Sequence, residues 1–298
     1  MLSFFYGLQL SNLVENISMG INLSLTVKLP KSWNELSEKQ LGKIALAIEH
    51  FRKFYELYPA ASNTAINRLY SRICKVLLSS NNFLIQYIAL VQIPPEEYAD
   101  HVAFINKENT RTVFPKAFRI RGRKYFPPAN RIQNLSMEEF SFVDALFFNW
   151  RLKNDARYLD LICATLYRPS GSQNPDYDIR RPFNKVILEK SIKKWIKVSL
   201  AKKLAIAYTF EGCRNEMVKL YPNIFPKPPK ETKKTKIQQK PQYTPFGQLL
   251  NFKINFDPSK LEQTERINMH KFLSTYENEL INEKKTKKNA GTNPQNRR

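Results

Sequence analysis

The sequence predicts a mainly α-helical protein, a multi-helix bundle-like body with an N-terminal strand and a small β hairpin. Three observations carry that reading. Apolar residues recur at i, i+3, i+4 and i+7 through most of the chain. Two helix starts share one signature: Ser37 and Gln40 between Leu36 and Leu41, then Ser136 and Glu139 between Leu135 and Phe140. Each is a capping box flanked by an apolar staple. Only 8 of 298 residues are Gly, which disfavours a turn-rich β sandwich and a glycine-lined phosphate site.

Residues 21–29 alternate apolar and polar, a strand pattern opened by Met19. Residues 1–19 are set apart as an N-terminal extension, of which 1–18 precede a translation start expected at Met19. The first helix follows Ser37, carries Leu41, Ile44, Ala45, Ile48, Phe51, Tyr55 and Tyr58 on one stripe, and stops at Pro59. A second helix, 62–79, uses Ile66, Leu69, Ile73, Val76 and Leu77. Residues 83–93 are almost continuously apolar and read as a buried helix or buried strand, with a short helix from Pro95 to Ile105 behind them. Around Gly122, residues 118–126 alternate with period two, which predicts a hairpin near 112–127 closed by Pro127 and Pro128. A helix through Phe140, Val143, Phe147 and Trp150 comes next, then one at 155–167, a polar loop at 170–178, and one long helix or two abutting ones over 183–221. Asp257 with Pro258 at the first helical position starts a last helix over 258–284.

This gives a helical body at 20–225, a Pro- and Lys-rich linker at 226–245, a C-terminal helical segment at 246–284 and a disordered basic tail at 285–298. No run of about 18 apolar residues occurs, so no membrane span is expected. Cys74, Cys163 and Cys213 are sparse and never paired as C-x-x-C. They read as buried free thiols of a cytoplasmic protein, not as a disulfide framework or zinc site.

The net charge of +22 is concentrated. Segments 111–131, 180–203, 227–240 and 284–298 carry +7, +8, +5 and +6, which together exceed the total by four and leave a mildly acidic remainder. Such patches attract polyanions or acidic partners. On the hairpin, Phe118 and Ile120 fall on one face and Arg119 and Arg121 on the other, with Arg123 and Lys124 past the turn. Cations at strand spacing beside Tyr125 and Phe126 suit phosphates and bases, protection of a sheet edge, or docking on an acidic protein. In a helix over 185–203, Lys190, Lys193, Lys194 and Lys197 form a basic stripe opposite Leu188, Ile192, Trp195 and Ile196. Leu261, Ile267, Phe272 and Leu280 form a candidate partner-helix face in the last helix, able to lie in a groove on its own body or on another chain.

Catalytic signatures are missing from the sequence. No Walker, dinucleotide-binding, nucleophile-elbow or zinc-protease motif occurs, and His50, His101 and His270 stand alone. Asp176 and Asp178 are spaced for a divalent cation, but Arg180 and Arg181 stand ready to neutralise them in a turn. No enzyme, cofactor or metal is expected.

Several runs share an order with a known group. They are 27–41 (VKLPKSWNELSEKQL), 162–169 (ICATLYRP), 210–215 (FEGCRN), 221–225 (YPNIF), 244–250 (TPFGQLL) and 268–277 (NMHKFLSTYE). The order resembles helical accessory proteins encoded among the tail genes of tailed phages of Bacteroidetes-type hosts, similar in role to tail assembly chaperones. The resemblance implies a non-enzymatic protein inside the host cell that handles a phage tail protein during virion assembly. It transfers no site residue. The expected function is therefore a protein-interaction or assembly factor. The alternative is a basic nucleic-acid-binding protein using 111–131 and 185–203.

Overall fold

The computed structural model describes Val27 and residues 29–59, 62–79, 81–92, 99–171, 178–226 and 246–291. The fold is mainly α, with a small three-stranded antiparallel sheet. Of the predicted strand at 21–29 only Val27 and Leu29 are described, both buried; the extension at 1–19 and nearly all of the 226–245 linker lie outside the described residues. Two compact units are present: Met1–Arg111 with Ser199–Tyr208, and Thr112–Val198 with Thr209–Arg298.

The first unit holds α1 (Glu38–Leu57), α2 (Ser62–Leu78), α3 (Phe83–Gln92) and α4 (Ala99–Asn106), plus the opening turns of a later helix. The α1 start is a complete capping box: Ser37 Oγ accepts from Gln40 N, and the Gln40 side chain accepts from Ser37 N. The Gln40 amide also donates to the carbonyls of Val76 and Leu77, tying α1 to α2. Trp33 is buried edge-on against Phe104 and donates its indole N–H to the Phe104 carbonyl. Arg111, the first residue of the 111–131 basic segment, is buried too. One of its terminal nitrogens donates to the carbonyls of Trp33, Asn34 and Leu36 at 2.8–2.9 Å. That charge is structural and cannot serve a ligand.

Residues 83–92 are a helix, but not a buried one. Ile88 and Ala89 are covered, whereas Phe83 is 79% exposed and Leu84, Tyr87 and Val91 also face outward. A helix packed along one side buries one stripe, so an apolar sequence all round leaves the rest uncovered.

The second unit holds the hairpin β1 (Phe118–Ile120) and β2 (Arg123–Phe126), α5 (Met137–Lys153), α6 (Ala156–Leu166), the short β3 (Arg168–Pro169) and α7 (Lys185–Trp195). It also takes the larger part of α8 (Leu200–Leu220), then α9 (Phe246–Lys253), α10 (Pro258–Arg266) and α11 (Met269–Gly291). Strand order is β1-β2-β3. The hairpin loop has positive φ at both central residues, 48° at Arg121 and 80° at Gly122, the mark of a type I′ turn. Phe140, Phe147, Phe210 and Phe246 form one aromatic core, with Phe140 edge-on to Phe246 at 4.6 Å. The three cysteines are buried free thiols, and burial pushes the Cys74 thiol up to about 11.

The 183–221 stretch takes the second of its two readings, two abutting helices, and the predicted last helix is divided. The 183–221 stretch breaks after Trp195 and resumes at Leu200, so Lys197 lies in a turn outside α7 and the four lysines do not form one helical stripe. The 258–284 stretch breaks at Ile267 and Asn268. There the backbone is extended and pairs with 135–137: Met137 N donates to Ile267 O and Met269 N to Leu135 O, both at 2.9 Å. Asn268 then accepts from the amides of His270 and Lys271 and starts α11 afresh, which continues to Gly291. The four apolar residues proposed as a partner face are therefore split. Leu261 lies on α10, Ile267 in the connector, and Phe272 and Leu280 on α11, where Phe272 is buried in the unit.

The C-terminal helix is fastened to its own unit. Glu277 accepts from the amides of Asn223 and Ile224 and from the Asn223 side chain. Burial opposes its ionisation, but those hydrogen bonds, with Lys284 nearby, outweigh it and hold the carboxyl below the ordinary glutamate value. His270 is structural, its ring meeting the Arg131 carbonyl and the Tyr221 hydroxyl.

Candidate binding site

Strand register decides where the hairpin's cations go. Side chains directly opposite one another in an antiparallel pair share a face. Phe118 pairs with Tyr125 and Ile120 with Arg123, while Arg119 pairs with Lys124. Arg123 therefore shares the inward face of Phe118, Ile120 and Tyr125, whereas Arg119 and Lys124 project from the opposite face. Lys124 there rests over the Phe126 ring at 5.1 Å.

Trp195 brings α7 to that inward face. Its indole is fully buried, with ring centroids of Phe118, Tyr125 and Tyr167 at 5.8, 6.0 and 6.2 Å, all near edge-on. Tyr167 is fixed in turn by donating its hydroxyl to the Pro115 carbonyl. The last residue of α7 thus inserts into an aromatic box made by both hairpin strands and the end of α6. Lys190 and Lys194, one turn apart on α7, line the same cleft as Arg123.

Between them lies a cleft of about 840 Å³. Arg123 lines one side, Ile187, Lys190, Ser191 and Lys194 another, and 168–171 with Arg181–Asn184 complete it. Three of the eight nominated basic residues, Arg123, Lys190 and Lys194, come together here. Arg119, Arg121, Lys124, Lys193 and Lys197 do not line the cleft.

The third wall rests on a buried charge cluster. Glu139 accepts from Arg168 at 2.6 and 3.1 Å and from Arg180 at 3.0 Å. Asp178 accepts from the Arg180 side chain at 2.6–3.0 Å and from its amide at 2.9 Å. Burial works against the Arg180 charge, but Glu139 and Asp178 outweigh it and raise its pKa further. Two acids balance two arginines, so the cluster adds no net charge to the cleft. It positions the wall instead: Arg168 Nε donates to the Arg181 carbonyl, Arg181 N to Pro169 O, and Gly171 N to Ile179 O. Gly171 permits this approach, because a Cβ there would meet Arg181 Cα at 3.0 Å.

The second capping box is thus only half formed. Ser136 Oγ accepts from Glu139 N, but the Glu139 carboxylate is committed to the two arginines. Asp178 is likewise consumed by Arg180, as a neutralised turn requires, and Asp176 lies outside the described residues. Sequence reasoning missed Glu139, Arg168 and Arg181 as parts of the site. The visible signal was the Arg180–Arg181 pair two residues after Asp178.

The excess charge of the cleft comes from Arg123, Arg181, Lys190 and Lys194, for which no ion pair is found among the described residues. No carboxylate, imidazole or thiol is among the described lining residues, and no group of three His, Cys, Asp or Glu among the described residues is placed to hold a metal. No described helix is long and apolar enough to cross a membrane.

No family model, curated protein or solved structure matches the chain.

The cleft is mixed in character. Pro182, Phe183 and Ile187 present apolar surface beside the four cations, and Phe183 is held against Phe142 at 5.4 Å and under the Arg168 guanidinium at 6.0 Å. Such a surface can hold an extended chain carrying both carboxylates and apolar side chains.

Proposed function

We propose that this chain is a non-catalytic binding protein that grips an acidic, partly apolar segment of another protein in the cleft of its second unit. One observation carries the reading: Arg123, Arg181, Lys190 and Lys194 share a cleft with Pro182, Phe183 and Ile187, and no acid is among its described lining residues. Cations alone suit any polyanion. Apolar wall between them favours a peptide, whose side chains alternate in character, over a uniformly charged phosphate backbone. The resemblance to tail-region accessory proteins would make the partner a phage tail protein bound during virion assembly.

Nucleic acid is the second reading, favoured by the meeting of the hairpin and α7 cations in one cleft. The two readings separate by salt. Four phosphates on a single strand predict a loss of about 50-fold in affinity between roughly 50 and 200 mM salt. Fluorescence anisotropy with a labelled Glu/Leu peptide and with an oligothymidylate tests both. The expected result is peptide binding that falls about tenfold or more when Arg123, Lys190 and Lys194 are changed together to Gln. Oligothymidylate binding with that steep slope, and no peptide binding, would install the nucleic-acid reading. Binding of neither probe would remove both.

A further inference from the structure

A second surface stands out in the first unit. One stripe of α1, formed by Ala47, His50, Phe51 and Phe54, faces one stripe of α2, formed by Ala65, Arg68, Leu69 and Arg72. Both run i, i+3, i+4, i+7, the spacing with which a helix packs against a neighbouring helix. Between them is a groove of about 400 Å³. It extends along eight residues of each helix, a rise of about 10 Å or two helical turns. Ala47 and Ala65 keep its floor low, and Phe54, 38% exposed, stands at one end. Among the described residues none is found to cover it.

Charge decides what fits. Over 62–78, α2 carries Arg68, Arg72 and Lys75 and no acid. Arg68 and Arg72, one turn apart on the groove rim, are exposed, and no ion pair or hydrogen bond is found for either among the described residues. Glu49, on the neighbouring turn of α1, is occupied by Arg52 and the Tyr208 hydroxyl. An apolar floor with a cationic rim at i, i+4 spacing complements a helix with an apolar stripe flanked by Asp or Glu at i, i+4. A second copy of this chain fits poorly, since each brings a formal charge of +22.

We infer that the α1–α2 groove docks an acidic amphipathic helix of a partner protein. This surface differs from the cleft in unit, shape and partner conformation, and its variants leave the cleft untouched, so either assignment can fail alone.

The experiment uses the full chain and two labelled amphipathic peptides. Both carry Leu at i, i+3, i+4 and i+7. One has Glu flanking the Leu stripe and the other has Lys at the same positions. The Glu peptide is expected to bind at least tenfold tighter, with Phe54→Ala weakening it about tenfold. The pair Arg68→Glu and Arg72→Glu, both at exposed positions, should reverse the preference. Circular dichroism confirms that the variants fold. Equal binding of the two peptides would overturn the inference. So would a charge swap that leaves the preference unchanged, or loss of Glu-peptide binding on changing Lys190 and Lys194 instead. Self-association lost on changing Phe54→Ala would assign the groove to a second copy and equally overturn it.

Discussion

Glu139→Gln removes a carboxylate that accepts hydrogen bonds from two buried guanidiniums. In the native cluster Glu139 and Asp178 balance Arg168 and Arg180, and the Arg180 side chain is fully buried. The variant keeps the shape but leaves a net positive charge in a site that water does not reach, and it replaces hydrogen bonds from two cations with weaker ones to a neutral amide. Breaking a buried ion pair in this way costs about 3–5 kcal/mol. For a unit of this size each kcal/mol shifts Tm by about 2–4 °C, so a fall of roughly 6–20 °C is expected. Thermal and urea unfolding followed by circular dichroism measure it. Adding Arg180→Met restores balance, leaving Arg168 opposite Asp178 at 3.9 Å. The double variant should therefore lose less than the sum of the two single changes, by about 1–3 kcal/mol. A Glu139→Gln loss below about 1 kcal/mol, or strict additivity, would refute the reasoning. Because Arg168 also holds the Arg181 carbonyl, Glu139→Gln should weaken peptide binding in the cleft while Lys190 and Lys194 remain in place.

The type I′ turn gives a second prediction. Arg121→Asn should stabilise the hairpin by about 0.5–1 kcal/mol, since Asn tolerates positive φ far better than Arg, while Gly122→Ala should cost about 1 kcal/mol although no atom lies within 4 Å of the added methyl; equal unfolding midpoints for all three would contradict the strain argument. A third concerns acid. The folded Glu277 carboxyl is held below its ordinary value, so its contribution to docking α11 is present above about pH 4.3 and is lost as pH falls through the depressed folded value; the protection of α11 amides relative to their intrinsic exchange rate should fall over that range, and Glu277→Gln should make the loss pH-independent.

How far the sequence reads depends on how local the determinant is. The α1 capping box needs only residues three apart, and the hairpin needs only Gly122 between alternating strands, so both were legible. Glu139 shows where this reading stops. Its local pattern matches Ser37–Gln40, but Gln40 is neutral and reaches back to its cap, whereas Glu139 meets two arginines 29 and 41 residues away. The helix break at Ile267 and Asn268 was hidden for the same reason. Nothing near Ile267 forbids helix, and the break arises because 135–137 offers backbone partners from far along the chain.

The sequence by itself determined the helical class, the starts capped by Ser37, Ser136 and Asp257, the buried thiols, and the concentration of +22 into short segments. These follow from composition and from spacings within a turn or two. Only the tertiary structure decided what each charge does. It buries Arg111 beneath three carbonyls, cancels Arg168 and Arg180 against Glu139 and Asp178, and turns Arg119 and Lys124 away by strand register. Through Trp195 it draws Arg123, Lys190 and Lys194 into one cleft. A charge's environment is set by residues distant in the chain, and no local pattern carries that information.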